Sequence, residues 1–115
     1  MAGRFRLRRN KHGAVGVRED GIFFPSKGEH RRYQELKTLA LAGRVHRLEV
    51  HPRFPIVYQG KVICNVVLDF KYYTDGDGWV YEDFKGWQTS ESKLRHKLFE
   101  VFFGQKILIT RAGGR

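Results

Sequence analysis

The chain has 115 residues, 41% of them apolar and 14% aromatic, and its 22 Lys and Arg against 12 Asp and Glu give a formal net charge of +10. A chain this short buries roughly two thirds of its unfolded surface, which excludes a second core, and its apolar content excludes an intrinsically disordered polymer. The charge excess points to a polyanionic partner, nucleic acid ahead of an anionic membrane surface. No apolar run approaches the roughly 20 residues of a membrane span, and no signal-like apolar stretch follows the basic start, so a cytoplasmic protein is expected. A single cysteine, Cys64, excludes an internal disulfide framework and a Cys-rich zinc site, and its apolar neighbours Ile63 and Val66 mark it as a buried strand residue.

Taken in chain order, residues 1–12 carry Arg4, Arg6, Arg8, Arg9 and Lys11 with little to bury and read as a basic arm. Residues 13–24 are a lead-in whose Ile22, Phe23 and Phe24 can pack on the body. A first helix is expected over 27–42, with Ser26 as N-cap, Tyr33, Leu36, Leu39 and Ala40 at helical spacing, and Gly43 past its end. From Val45 the period changes to that of strands, over 48–54, 56–58, 62–73 and 79–84, with turns at 59–61 and 74–78. A second helix is expected over 91–103, capped by Thr89 or Ser90 and stopped by Gly104, with Leu94, Leu98, Val101 and Phe102 as its inward stripe. Residues 106–110 read as a last strand and 111–115 as a frayed tail. The folded domain is therefore expected over 25–110.

The chemistry lies in two strand segments, Val67-Leu68-Asp69-Phe70 and Val80-Tyr81-Glu82-Asp83-Phe84-Lys85-Gly86. A three-residue or five-residue loop centred on Gly76 pairs Tyr73 with Trp79 and sets Asp69 opposite Asp83, with Cβ atoms about 5 Å apart on one face. A two-residue Asp75-Gly76 turn would shift that register by one and exchange Glu82 with Asp83. Alternation along the strand puts Lys85 on the Asp83 face and Glu82 and Phe84 on the other. Two opposed carboxylates repel unless a cation lies between them, and oxygen ligands suit Mg²⁺, with Mn²⁺ as substitute. A lysine beside them can hold a phosphate oxygen or favour deprotonation of an attacking water.

The pattern Asp69, Asp83-x-Lys85, in the order helix, three strands, helix, strand, resembles the PD-(D/E)xK nuclease superfamily. Ser26-Lys27-Gly28-Glu29, Arg32-Tyr33-Gln34-Glu35-Leu36 and Glu82-Asp83-Phe84-Lys85-Gly86 are similar to segments of small phage-type endonucleases and Holliday-junction resolvases. The likeness covers about residues 25–109, and Leu68 stands where the family pattern has proline. It implies a restriction-endonuclease-like α/β core, order α-β-β-β-α-β, with a mixed sheet flanked by two helices. It also implies metal ligation by Asp69, Asp83 and the backbone carbonyl of Phe84, a Lys85 that orients or activates water, and a first-helix glutamate, Glu29, that completes the metal shell. Glu29 has a second reading, because Ser26-Lys27-Gly28-Glu29 is also a capping box.

Glu35 reads as a surface partner of Arg31 or Arg32. The five histidines show no metal-ligand spacing and read mostly as surface or phosphate-facing groups. Arg4, Arg6, Arg8 and Arg9 of the arm, Lys27 and Arg31 of the first helix, Gln88, and Lys93 and Lys97 of the second helix are the expected DNA contacts. Trp87 fits either a base-stacking or a core position. The resemblance implies a Mg²⁺-dependent endodeoxyribonuclease that leaves 5′-phosphates, acts on branched DNA, the four-way junction foremost, and works as a homodimer. The alternatives are a nuclease of flapped, nicked or duplex DNA, and a non-catalytic basic binding module.

Overall fold

A computed structural model of the chain describes residues 5–9, 15–85 and 88–111. Strands β1 (Phe5–Arg9), β2 (Val15–Glu19) and β3 (Ile22–Phe24) form an antiparallel sheet in that order. The expected basic arm is thus partly a strand: residues 5–9 pair along 15–19, and Arg6, Arg8 and Arg9 lie on β1. The lead-in is likewise structured, with an Asp20-Gly21 turn in which both residues have positive φ, the geometry of a tight primed hairpin. Its apolar end serves the body, since Phe24 is fully buried.

Helix α1 (Lys27–Leu41) starts where expected, the Ser26 hydroxyl accepting from Glu29 N, and ends against Gly43 at φ +77. Strands β4 (His46–Val50), β5 (Arg53–Tyr58), β6 (Lys61–Val67), β7 (Phe70–Thr74) and β8 (Gly78–Phe84) follow, then α2 (Ser90–Phe103) and β9 (Ile107–Thr110). Thr89 caps α2 by accepting from Ser92 N, and Gly104 closes it in the left-handed region. The central sheet has the order β4-β7-β8-β9 and is mixed, β8 and β9 running parallel and the other pairs antiparallel. The molecule is a mixed α/β fold of a mixed sheet with two helices. Its β2–β3 unit is tied to α1 by Glu19, which meets His30 at 2.6 Å and Lys37 at 3.2 Å.

The long strand expected over 62–73 is two strands. Among the described residues β6 pairs only with β5, in a separate hairpin, while β7 joins β4 and β8, and the chain breaks direction at Leu68-Asp69. Both halves alternate in the same way, so periodicity could not reveal a change of partner. Each half faces its own core. Phe70 and Tyr72 pack with Phe24, Tyr33, Leu36 and Val45 under α1, and Ile56, Val66, Leu68 and Phe99 pack together with Phe54, Tyr81 and Ile107 beneath α2. Cys64 borders this second core and is half-buried.

The inner face of α2 matches the expected stripe only in part, with Leu98 packing against the second core. Phe99 is its fully buried residue, whereas Leu94 and Val101 are 58% and 73% exposed. His96 turns inward instead, and Arg95, still 40% exposed, reaches in to a strand carbonyl. Arg95 donates to Asn65 O at 2.7 Å, and His96 Nε2 reaches Asp83 Oδ2 at 2.6 Å. An apolar stripe counted from sequence gives no weight to such bonds, and buried polar groups that are bonded cost little.

Candidate metal centre

The break between β6 and β7 builds the site. Leu68 is buried and its amide donates to Pro52 O at 3.1 Å, while His51 N donates to Asp69 O at 2.9 Å, so the His51-Pro52 corner clamps the Leu68-Asp69 corner. Asp69 N in turn faces Glu82 O at 3.2 Å and Asp83 Oδ1 at 3.1 Å, and Asp69 Oδ2 accepts from Phe84 N at 2.7 Å. The expected register is present. Phe70 pairs with Glu82 and Tyr73 with Trp79 across a three-residue loop, with Gly78 at φ +75, so Asp69 meets Asp83.

Asp83 is held from three sides: Asp69 N, His96 Nε2 and Lys85 Nζ, the last at 3.3 Å from Oδ2. His96 takes its orientation from Gln88, whose amide lies 3.3 Å from Nδ1 and can donate to it. Gln88, expected on phosphate, therefore supports a histidine that supports a carboxylate.

Glu29 arrives from the first turn of α1 and is 5% exposed. Its backbone amide is capped by Ser26, but the carboxylate does not return to the cap. Its Oε2 accepts from His51 Nε2 at 2.7 Å. Gly28 makes the approach possible: a Cβ there would sit 2.5 Å from the tip of the Phe84 ring, so the helix start can lie on the end of β8 only without a side chain. Ligand atoms of Glu29, His51 and Asp69 all lie within 4.8 Å of one another.

The charges are unequal. Burial, then the neighbouring Asp83 and Glu29 charges, push the Asp69 carboxyl up to about 9. Burial also acts on Asp83, but bonds from His96 and Asp69 and the Lys85 charge outweigh it and hold this carboxyl below its ordinary value. The two directions oppose each other, so a proton taken up by the pair is favoured on Asp69 and the negative charge on Asp83. A cation at Asp69 would displace that proton.

Glu82 stands apart, as its alternation requires. Fully buried on the α1 face, it binds Arg32 through both oxygens at 2.6 and 3.0 Å, Tyr72 OH at 2.6 Å and Thr110 Oγ1 at 3.1 Å. Glu35 pairs with Arg32 at 2.9 Å on the surface.

The arrangement brings Glu29, Asp69, Asp83 and Lys85 together and adds two residues that sequence reasoning missed, His51 and His96. With His30, which meets Glu19, they correct the reading of the histidines as mainly surface groups. No spacing could have found His51 or His96, because their carboxylate partners lie 22 and 13 residues away on other elements. Lys27, Arg31, Lys93 and Lys97 are exposed. Arg4 and Trp87 lie outside the described residues. The Phe84 carbonyl lies at the end of β8, where Phe84 pairs with Thr110.

Residues 9–112 match a family model described as "Protein of unknown function (DUF1064)". No curated protein and no solved structure matches the chain.

Proposed function

We propose that this chain, which belongs to the family described as "Protein of unknown function (DUF1064)", is a metal-dependent endodeoxyribonuclease of branched DNA, with the four-way junction as its substrate. The carrying observation is the convergence of Asp69 and Asp83 with Lys85 at 3.3 Å and Glu29 from the helix start beside them. The sheet, the two helices and the order of these residues support a restriction-endonuclease-like core. The donor set fits a divalent cation: two carboxylates and an imidazole within 4.8 Å, the buried Glu29 among them.

A bound ion would be held by the Asp69 and Glu29 carboxylates and would supply charge stabilisation for the phosphoryl oxygens. The chain's own groups do the rest. Lys85, anchored on Asp83, donates to a phosphate oxygen or to the attacking water and fixes its position in line with the P–O3′ bond. Asp83, kept ionised by His96, holds the lysine in place. The water oxygen bonds to phosphorus while its proton passes to bulk solvent, the P–O3′ bond breaks, and the 3′ oxygen takes a proton from solvent, leaving a 5′-phosphate and a 3′-hydroxyl.

The +10 charge and the exposed Lys27, Arg31, Lys93 and Lys97 support phosphate-backbone binding. Among the described residues no helix is long and apolar enough to cross a membrane, and a cytoplasmic setting is part of the proposal. Paired cuts in a symmetric junction call for an isologous homodimer. The exposed Leu94 and Val101 of α2 and Val62 and Ile63 of β6 supply apolar surface that such a dimer could use.

The test is incubation with labelled four-way junction, flap, linear duplex and single strand, with Mg²⁺, Mn²⁺ or EDTA, beside Asp83→Ala. Metal-dependent cutting of the junction, lost in the variant with binding retained, is expected. Junction binding without cleavage under any metal would replace the enzyme by a non-catalytic module, and preferred cutting of flap or duplex would replace the substrate.

A further inference from the structure

We infer that His51 is itself a metal ligand, so that the Glu29, His51 and Asp69 site takes a divalent transition ion, with Mn²⁺ as its probe, in preference to Mg²⁺. The inference deepens the nuclease reading and rests on it. The expected all-oxygen set was Asp69, Asp83, Glu29 and a carbonyl. Asp83 is drawn away from that set, both of its oxygens being engaged by Asp69 N, His96 and Lys85. In its place the fold presents an imidazole, its Nε2 2.7 Å from Glu29 Oε2 and a ligand nitrogen within 4.8 Å of an Asp69 oxygen.

An ion with bonds of about 2.1 Å has opposite ligands about 4.2 Å apart, so donors within 4.8 Å of one another need only a small contraction to enclose it. His51 is built to stay there. Its backbone sits in the left-handed region at φ +57, its amide is bound to Asp69 O, and its ring lies 5.9 Å from that of the buried Phe24. One third of the side chain remains exposed, which leaves room for waters and a phosphate oxygen. Nitrogen ligation is what separates the ions. Mg²⁺ prefers oxygen and dehydrates reluctantly, whereas first-row transition ions gain from an imidazole.

The test is Mn²⁺ binding followed by electron paramagnetic resonance, with Mg²⁺ competition and electron spin echo detection of ¹⁴N. For the wild-type protein, Mn²⁺ is expected to bind about tenfold or more tightly than Mg²⁺, with an imidazole ¹⁴N modulation on the bound ion. His51→Ala is expected to lose the modulation and about tenfold in Mn²⁺ affinity while Mg²⁺ affinity changes little, so that the selectivity collapses. Bound Mn²⁺ without ¹⁴N modulation in the wild type, which needs no variant to fold, would overturn the inference and leave the nuclease reading standing. Modulation that persists in His51→Ala would assign the nitrogen elsewhere and also overturn it. Absence of any divalent-ion binding would sink both.

Discussion

Asp69→Asn in metal-free protein is the sharpest probe of the site, because the buried carboxyl acts on stability in a direction opposite to that of most aspartates. Its folded-state value is raised from 3.8 to about 9, so the folded chain keeps the proton at pH values where the unfolded chain releases it. Stability from this group is complete below the unfolded value and is lost as pH rises toward the folded one. One proton of difference amounts to about 1.4 kcal/mol per pH unit across that window. Between pH 5.5 and 7.5 the loss reaches about 3 kcal/mol, or roughly 10 °C in Tm for a domain of this size. Asparagine carries no such proton, so the stability advantage of Asp69→Asn over wild type should grow with pH in EDTA. Asp83, held low by His96, Asp69 and Lys85, loses its contribution only as pH falls below its ordinary range, so a window above pH 5 keeps it constant. Urea titrations of both proteins at half-unit pH steps measure the difference directly. Parallel wild-type and variant profiles would refute the reasoning, and so would an advantage that shrinks with rising pH.

Arg32→Ala leaves the fully buried Glu82 without its bidentate partner and should cost about 3–5 kcal/mol, read as a fall in the urea midpoint without a change in slope. Gly28→Ala places a Cβ 2.5 Å from the Phe84 ring. Although alanine gains about 1 kcal/mol in helix propensity, a net loss of roughly 1 kcal/mol or more is expected, together with weaker Mn²⁺ binding as Glu29 is moved off the sheet. Lys93→Ala with Lys97→Ala should weaken junction binding at low salt and reduce the slope of log K against log salt by about 2, leaving the unfolding free energy from urea titration within about 0.5 kcal/mol of wild type. An unchanged slope would remove α2 from the DNA surface. Saturating Mn²⁺, at about 100 times its Kd, should raise wild-type stability by about 2.7 kcal/mol, and Asp69→Asn should abolish that gain in thermal melts.

Local signals carried the capped helices and the β7–β8 register. Ser26, Gly43, Thr89 and Gly104 act within a turn of their own position, and the three-residue loop around Gly76 determines which acids face each other. Those signals reach only as far as neighbouring residues. The strand break at Leu68-Asp69 escaped them because it is a change of pairing partner with no change of period. His51 and His96 escaped because their roles are assigned by distant carboxylates. The α2 face misled for a related reason: Arg95 and His96 are polar by type yet each reaches an acceptor supplied by a strand, Asn65 O and Asp83. The region before Pro25 was underestimated since charge dominates its composition, while its structural weight rests on Phe24 and on Glu19, which bonds into α1.

The break at Leu68-Asp69 also makes the site a seam. One core lies under α1 and contains Phe70, the other lies beneath α2 and contains Leu68, so consecutive stretches of one chain pack on opposite faces of a sheet whose β8 serves both cores. Glu29 comes with α1, His96 with α2, and Asp69 sits at the corner between them. Loosening of either helix from its face of the sheet withdraws part of the site, Glu29 in one case and His96 in the other. An ion bound between Glu29 and Asp69 would tie α1 to the β6–β7 corner, coupling occupancy of the centre to the packing of the helix on the sheet.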